Sequence, residues 1–185
     1  MPHPKLLDRS KTALVVIDVQ EGFRGSIPEF SGLAERISVA VRGCEILDVP
    51  VIVTEQYPKG LGPTAEEILL VLPDGLTPIE KTAFSSCGAA GFVEKLEATG
   101  ADQIALCGIE SHVCVSQTAH DLLDQGFQVH LLTDAVGSRF ENDKKAGLAK
   151  MYASGVVPSS VEMMLFELVK DAKHEQFREL QALIK

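Results

Sequence analysis

The sequence predicts an α/β fold in which a parallel sheet carries helices on both faces. Three observations lead there. Short β-branched, apolar runs recur along the chain, longer stretches with apolar residues at three- and four-residue spacing separate them, and glycine or proline marks the junctions. Such alternation calls for parallel strands joined by right-handed crossovers, each of which lays its helix against the sheet. At 185 residues the chain fits one domain, residues 1–185, because splitting into separate cores begins beyond about 250 residues.

The elements follow in order. Thr12–Asp18 (TALVVID) reads as a buried strand, Leu33–Asp48 as a helix, and Pro50–Gln56 (PVIVTEQ) as a second strand. Pro63 and Thr64 precede Glu66 and Glu67, a helix start with acids near the positive end of the dipole, so "GLGPTAEEILLVL" is read as helical. Thr77–Thr82 (TPIEKT) is a short third strand at the sheet edge. Ala90–Gly100 is a helix closing on Gly100, Gln103–Ile109 a strand, and the helix holding Cys114 closes on Gly126. Phe127–Ala135 is a strand, Glu141–Ser154 a helix and Gly155–Val161 an extended piece; Glu162–Lys170 and His174–Lys185 are the last helical stretches. No repeat, low-complexity tract or linker interrupts them.

Composition excludes several functions. Seventeen basic against 26 acidic residues give a net charge of −9 with no Lys/Arg cluster, a field that repels phosphate backbones and anionic lipid. Nucleic acid and membrane are therefore not expected as partners. The apolar runs fall well short of the roughly 20 residues of a membrane span, and "MPHPKLLDRSK" lacks the apolar core of a secretory signal, so a cytoplasmic protein is expected. Cys44, Cys87, Cys107 and Cys114 form no CxxC pair and read as free thiols. Cys44 in a helix and Cys107 in a strand read as buried packing.

Doubly wound sheets bind ligands outside the carboxyl ends of their strands, where strand order reverses. Asp18, Lys81 and Cys114 stand at or just beyond such ends. If the first and fourth strands flank the reversal, Asp18 and Cys114 become neighbours; Lys81, on an edge strand, needs its loop to curl inward. A thiolate is favoured at a helix start, beside a cation, or by a base that takes its proton. Cys114 begins a helical pattern, Lys81 supplies the cation and Asp18 the base. Backbone N–H groups in the turn Ile109–Cys114 then face a developing oxyanion, worth on the order of 3 kcal/mol per donor. Taken singly, each residue has a plainer reading: Asp18 as a turn residue, Lys81 as a surface lysine, Cys114 as a small buried group.

Gln20, Phe23, Tyr57 and His112 follow strand ends closely enough to line a pocket, Gln20 by hydrogen bonding near Asp18, although simple packing accounts for aromatics at such spots equally well. His112 is two residues from Cys114, and residues two apart on a helix point in different directions, so it is read as a pocket wall rather than a base. Gly60–Gly62 lacks the third glycine of a dinucleotide fingerprint, and Cys87 has nothing beside it that marks a second nucleophile. His3, His112, His120, His130 and His174 make no i, i+4 pair, so spacing indicates no metal.

Together, "VVIDVQEGF", "TEQYPKGLGPT", "IEKTAFSSC" and "GIESHVCVSQTAHDLLDQGFQVHLLTDAVGSR" resemble the isochorismatase-like cysteine hydrolase family, in its branch of isochorismatase-domain proteins, over nearly the whole chain. The resemblance implies a three-layer α/β/α sandwich around a parallel six-stranded sheet and a catalytic triad of Asp18, Lys81 and Cys114. It also implies a non-proline cis peptide between Ile109 and Glu110 and an oxyanion hole from the backbone N–H groups of Glu110 and Cys114. Relatives are commonly homo-oligomers, and "VEMMLFELV" is a stretch that either packs in the core or pairs with a second subunit. Nicotinamidases of the family bind a metal through Asp-x-His after the second strand, where this chain has "TEQYPKGLG"; no metal and no other cofactor is expected. Isochorismatase itself cleaves a vinyl ether without a nucleophilic cysteine, so Cys114 points away from that reaction.

The expectation is a cysteine hydrolase acting on a small-molecule substrate at an amide-type C–N bond through a thioester. The alternative is a binding or scaffold protein that keeps the fold without turnover, since fold does not imply function. A flavodoxin-like mononucleotide binder is a further alternative with no phosphate-loop signature behind it.

Overall fold

The computed structural model describes residues 3–185. Six strands, β1 (Thr12–Ile17), β2 (Val51–Gln56), β3 (Ile79–Lys81), β4 (Gln103–Ile109), β5 (Gln128–Gly137) and β6 (Val157–Ser159), form one sheet in the order β3-β2-β1-β4-β5-β6. Every neighbouring pair is parallel. The chain starts in the middle, builds outward to β3, then returns to lay β4 against the free side of β1. Strand order therefore reverses between β1 and β4.

All six residues of β1 are buried, as a strand covered on both faces requires. Its alternate side chains divide between two cores. Leu14 and Val16 join α1 (Phe30–Ile46), α7 (Val161–Val169) and α8 (Phe177–Leu183) through Ile37, Val41, Leu165 and Leu180. Ala13, Val15 and Ile17 join α4 (Phe92–Ala98), α5 (Ser116–Asp124) and α6 (Glu141–Ala153) through Phe92, Leu96, Leu122 and Met151. Helix, sheet and helix make three layers.

The helix read after Pro63 is instead a single turn, α3 (Glu66–Leu69), and another single turn, α2 (Pro58–Leu61), comes before that proline. Gly62, at φ 74, and Pro63 separate them, and Pro73 disfavours helical backbone at Leu72. The first helix begins at Phe30 rather than Leu33, the last spans Phe177–Leu183 rather than His174–Lys185, and β5 runs two residues beyond Ala135. Its pairing with β4 shifts register between Leu106 and Gly108. Gly108, at φ 121, lies against the end of β1, and any Cβ there would collide with the Ile17 carbonyl. Glycine is obligatory at this approach, one residue before Asp18. Among the described residues no helix is long and apolar enough to cross a membrane.

Candidate active site

Asp18 leaves β1 in the left-handed region, at φ 53, with its N–H on the Thr54 carbonyl at 3.1 Å. That turn directs the carboxylate back under the strand ends, where it is 1% exposed. The Thr54 hydroxyl donates to Oδ1 at 2.7 Å and the Lys81 ammonium to Oδ2 at 2.6 Å. Lys81 ends the edge strand β3, yet its side chain is wholly buried. Reaching past β2 to Asp18, it also donates to Gln56 Oε1 at 2.8 Å and to the carbonyls of Phe84 at 2.9 Å and Ala83 at 3.1 Å. The loop after β3 does curl inward, and those carbonyls are what it presents to the ammonium.

Cys114 belongs to a π-helical turn, Ser111–Val115, that runs directly into α5. The Ile109–Glu110 peptide bond before it is cis. The Glu110 carbonyl accepts N–H bonds from Val113 at 3.0 Å and Val115 at 3.2 Å, while its carboxylate accepts from the Arg139 N–H at 2.9 Å and Nε at 3.0 Å. The thiol, on a residue 7% exposed, lies close enough to Asp18 and Lys81 for the charge of both to act on it. The three residues thus meet where strand order reverses.

Electrostatics divide the roles. Burial raises the Asp18 pKa above the ordinary carboxylate value, against the pull of the Lys81 charge and its hydrogen bonds. Burial, then the Asp18 charge, pushes the Cys114 thiol up to about 12, with Lys81 offsetting only part of this. The lysine charge is already matched by the carboxylate, and desolvation of sulfur dominates.

The pocket expectations separate. Gln20 is fully buried and wholly engaged, donating to the carbonyls of Gln56 at 3.0 Å and Gly62 at 2.7 Å and accepting the Gln56 N–H at 2.7 Å. It is corrected from a pocket wall to a clamp between backbones. Phe23, half-buried, packs against the core on the α1 side. Tyr57 is 55% exposed at φ 38 and, with Pro58, Thr82 and Ala89, borders an open cleft of about 390 Å³ that reaches Lys81. His112 hydrogen-bonds to the Ser138 hydroxyl at 3.0 Å and faces Asp143 at 3.9 Å. A larger groove of about 580 Å³, between α1 and β5, contains none of the three reactive residues. Among the described residues no group of three or more His, Cys, Asp or Glu side chains is placed to hold a metal ion.

Sequence reasoning missed Thr54, Gln56 and Ser86. The first two had a signal: "TEQ" ends an otherwise apolar strand in three polar residues, unusual for a buried segment. Ser86 had none. Its N–H donates to Thr118 Oγ1 at 2.9 Å, and that hydroxyl donates to the Cys114 carbonyl at 2.7 Å, tying the lysine loop to the helix of the thiol. Its own hydroxyl is buried without a partner.

The sheet order, the helical layers and the buried cluster at the reversal define a protein of the isochorismatase-like hydrolase class. Comparison with known proteins gives the family. The isochorismatase domain model matches residues 12–163, and the chain belongs to the isochorismatase family. Isochorismatase domain-containing protein 2 of Danio rerio is 40% identical over 179 residues, covering 96% of this chain and 89% of the relative. The MAR1 ribonuclease of Caenorhabditis elegans superposes with a TM-score of 0.92 at 36% identity, over 97% of this chain and 92% of that one. The YcaC gene product of Escherichia coli, an octameric hydrolase of unknown specificity, superposes with a TM-score of 0.91 at 23% identity over 100% and 91% of the two chains, a likeness of fold.

Proposed function

We propose that the protein is a cysteine hydrolase cleaving an amide-type C–N bond of a small molecule. The observation that carries this reading is the buried Asp18–Lys81 pair, 2.6 Å apart, set against the Cys114 thiol. At rest the sulfur keeps its proton and Asp18 is the ionised partner of Lys81. As the sulfur attacks the substrate carbonyl, Asp18 takes the thiol proton, its raised pKa bringing it nearer the strength a base needs at neutral pH. The carbonyl oxygen, now negative, accepts hydrogen bonds from the backbone N–H groups of Glu110 and Cys114. Asp18 gives its proton to the departing nitrogen, the C–N bond breaks, and a thioester remains on Cys114. Water then attacks the thioester, losing a proton to Asp18; the acid leaves and the thiol is restored.

A screen of small amides and carbamoyl compounds for ammonia or amine release tests this. Cys114→Ala is expected to lower turnover by about three orders of magnitude or more, and turnover that survives the substitution ends the proposal. The deep burial and raised pKa of the thiol favour the rival reading of a scaffold that kept the fold. That reading predicts no release from either protein and no selective labelling of Cys114 by iodoacetamide.

A structural relative is named a ribonuclease; for this chain a net charge of −9 opposes phosphate binding, and an RNA arm in the same screen is expected to show no cleavage. We also propose that the chain works in the cytoplasm, where its four free cysteines stay reduced, and as a homo-oligomer, with the octameric neighbour as precedent for the fold. Light scattering giving a monomer mass overturns the latter.

A further inference from the structure

Lys81 has three N–H bonds and four acceptors within 3.1 Å: one carboxylate, Asp18, and three neutral oxygens on Gln56, Ala83 and Phe84. The three neutral acceptors orient the ammonium without cancelling its charge. Gln56 alone contributes a side chain, and that side chain is held from two directions. Its backbone N–H and carbonyl are both clamped by the buried Gln20 amide, and its Nε2 donates to the Thr82 carbonyl at 2.8 Å. The Thr82 bond decides which end of the amide is which, so the oxygen faces Lys81. Gln56 and Lys81 are also register partners in the β2–β3 ladder, so the amide stands beside the root of the lysine as well as its tip.

We infer that Gln56 is a positioning residue, anchored by Gln20, that aims the Lys81 ammonium at Asp18 and keeps the ratio at one carboxylate per ammonium. The inference rests on the proposed triad and adds the requirement that the group opposite Asp18 be neutral. A carboxylate at position 56 would retain the shape and accept from Lys81, yet it would add a second negative charge to the same buried ammonium. Lys81 would then offset less of the burden on the thiol, and Asp18 would gain a like charge nearby. Both effects hold the Cys114 proton more tightly.

The test needs no natural substrate. Iodoacetamide labelling of the Cys114 peptide is followed by mass spectrometry against pH, and acylation of Cys114 is followed as the p-nitrophenolate burst from p-nitrophenyl acetate. Gln56→Glu is expected to slow iodoacetamide labelling of Cys114 about tenfold or more at every pH below about 9, since a thiol that holds its proton more tightly presents less thiolate. Gln56→Met keeps the length, loses both side-chain hydrogen bonds and adds no charge; the expected result is a burst rate lowered about tenfold or more at full amplitude. Thermal melts check that both variants fold. A folded Gln56→Glu protein that labels at the wild-type rate overturns the inference, as does a Gln56→Met protein with the wild-type burst rate. If instead wild-type Cys114 neither labels nor acylates, the triad reading fails first and the positioning role falls with it.

Discussion

The thiol of Cys114 and the carboxylate of Asp18 share one ammonium, and the protonation pattern of the site follows from that arithmetic. Two acids that share one base cannot both be ionised cheaply when buried, so in the proposed mechanism the stronger acid keeps the lysine and sulfur keeps its proton until a substrate takes the developing charge. Ser86 offers a stability test at the same scale. Its hydroxyl is buried without a partner, so Ser86→Ala removes a desolvated group and no hydrogen bond of that side chain; unfolding free energy is expected to stay level or rise by up to about 1 kcal/mol, read from urea denaturation. A loss of several kcal/mol would mean that the hydroxyl has a partner. Asp18, Lys81 and Cys114 were legible in the sequence because reactive residues at strand ends are few. Gln20 was misassigned and Gln56 overlooked for a common reason: an amide both donates and accepts, and only its neighbours decide what it joins.

At the level of elements, two close approaches set the site. Gly108 lets β4 meet the end of β1, and Gly108→Ala is expected to cost more than about 2 kcal/mol, since it combines a collision with the Ile17 carbonyl and a positive φ that alanine resists. A melting temperature within a degree or two of wild type would contradict this. Gly147 does the same for α6: a Cβ there would lie 2.8 Å from the His112 Cα, on the turn that carries Cys114. Gly147→Ala is expected to slow iodoacetamide labelling of Cys114 about tenfold, by shifting that turn, while leaving the far half of the sheet intact; labelling at the wild-type rate would show that the turn tolerates the push. The strands and long helices were readable from run length, apolar spacing and the turn residues between them. The splitting of the segment after β2 into two turns was not, because single helical turns are held by the bonds of their loop, such as Ala65 N–H to the Val19 carbonyl at 2.8 Å, rather than by an amphipathic repeat.

Across the whole molecule, buried titratable groups limit stability at both ends of the pH scale. Burial lowers the pKa of His130 to about 4, so between about 6.5 and 4 the unfolded chain binds a proton that the folded one refuses. Stability from this residue is complete above about 6.5 and is lost as pH falls toward 4, by at most about 1.4 kcal/mol per unit. His130→Gln is expected to flatten that limb in urea denaturation at several pH values; an unchanged slope would remove His130 as its source. At the alkaline end Cys44 and Cys114 are both pushed up to about 12, so unfolded thiols ionise first and stability falls as pH rises past about 9. Cys44→Ala, compared with wild type in the same measurement, is expected to lessen that fall.

What the amino-acid order determined by itself was local and periodic. Apolar runs read as buried strands, three- and four-residue spacing as helices everywhere but in the segment after β2, and their alternation as a parallel sheet with reactive residues near one rim. Only the tertiary structure decided which polar groups serve the site and which serve the frame. An edge-strand lysine reaches a central-strand carboxylate because β2 supplies Thr54 and Gln56 between them and a loop presents two carbonyls from outside. Such satisfaction of buried charge depends on distances in space, about which spacing along a chain is silent.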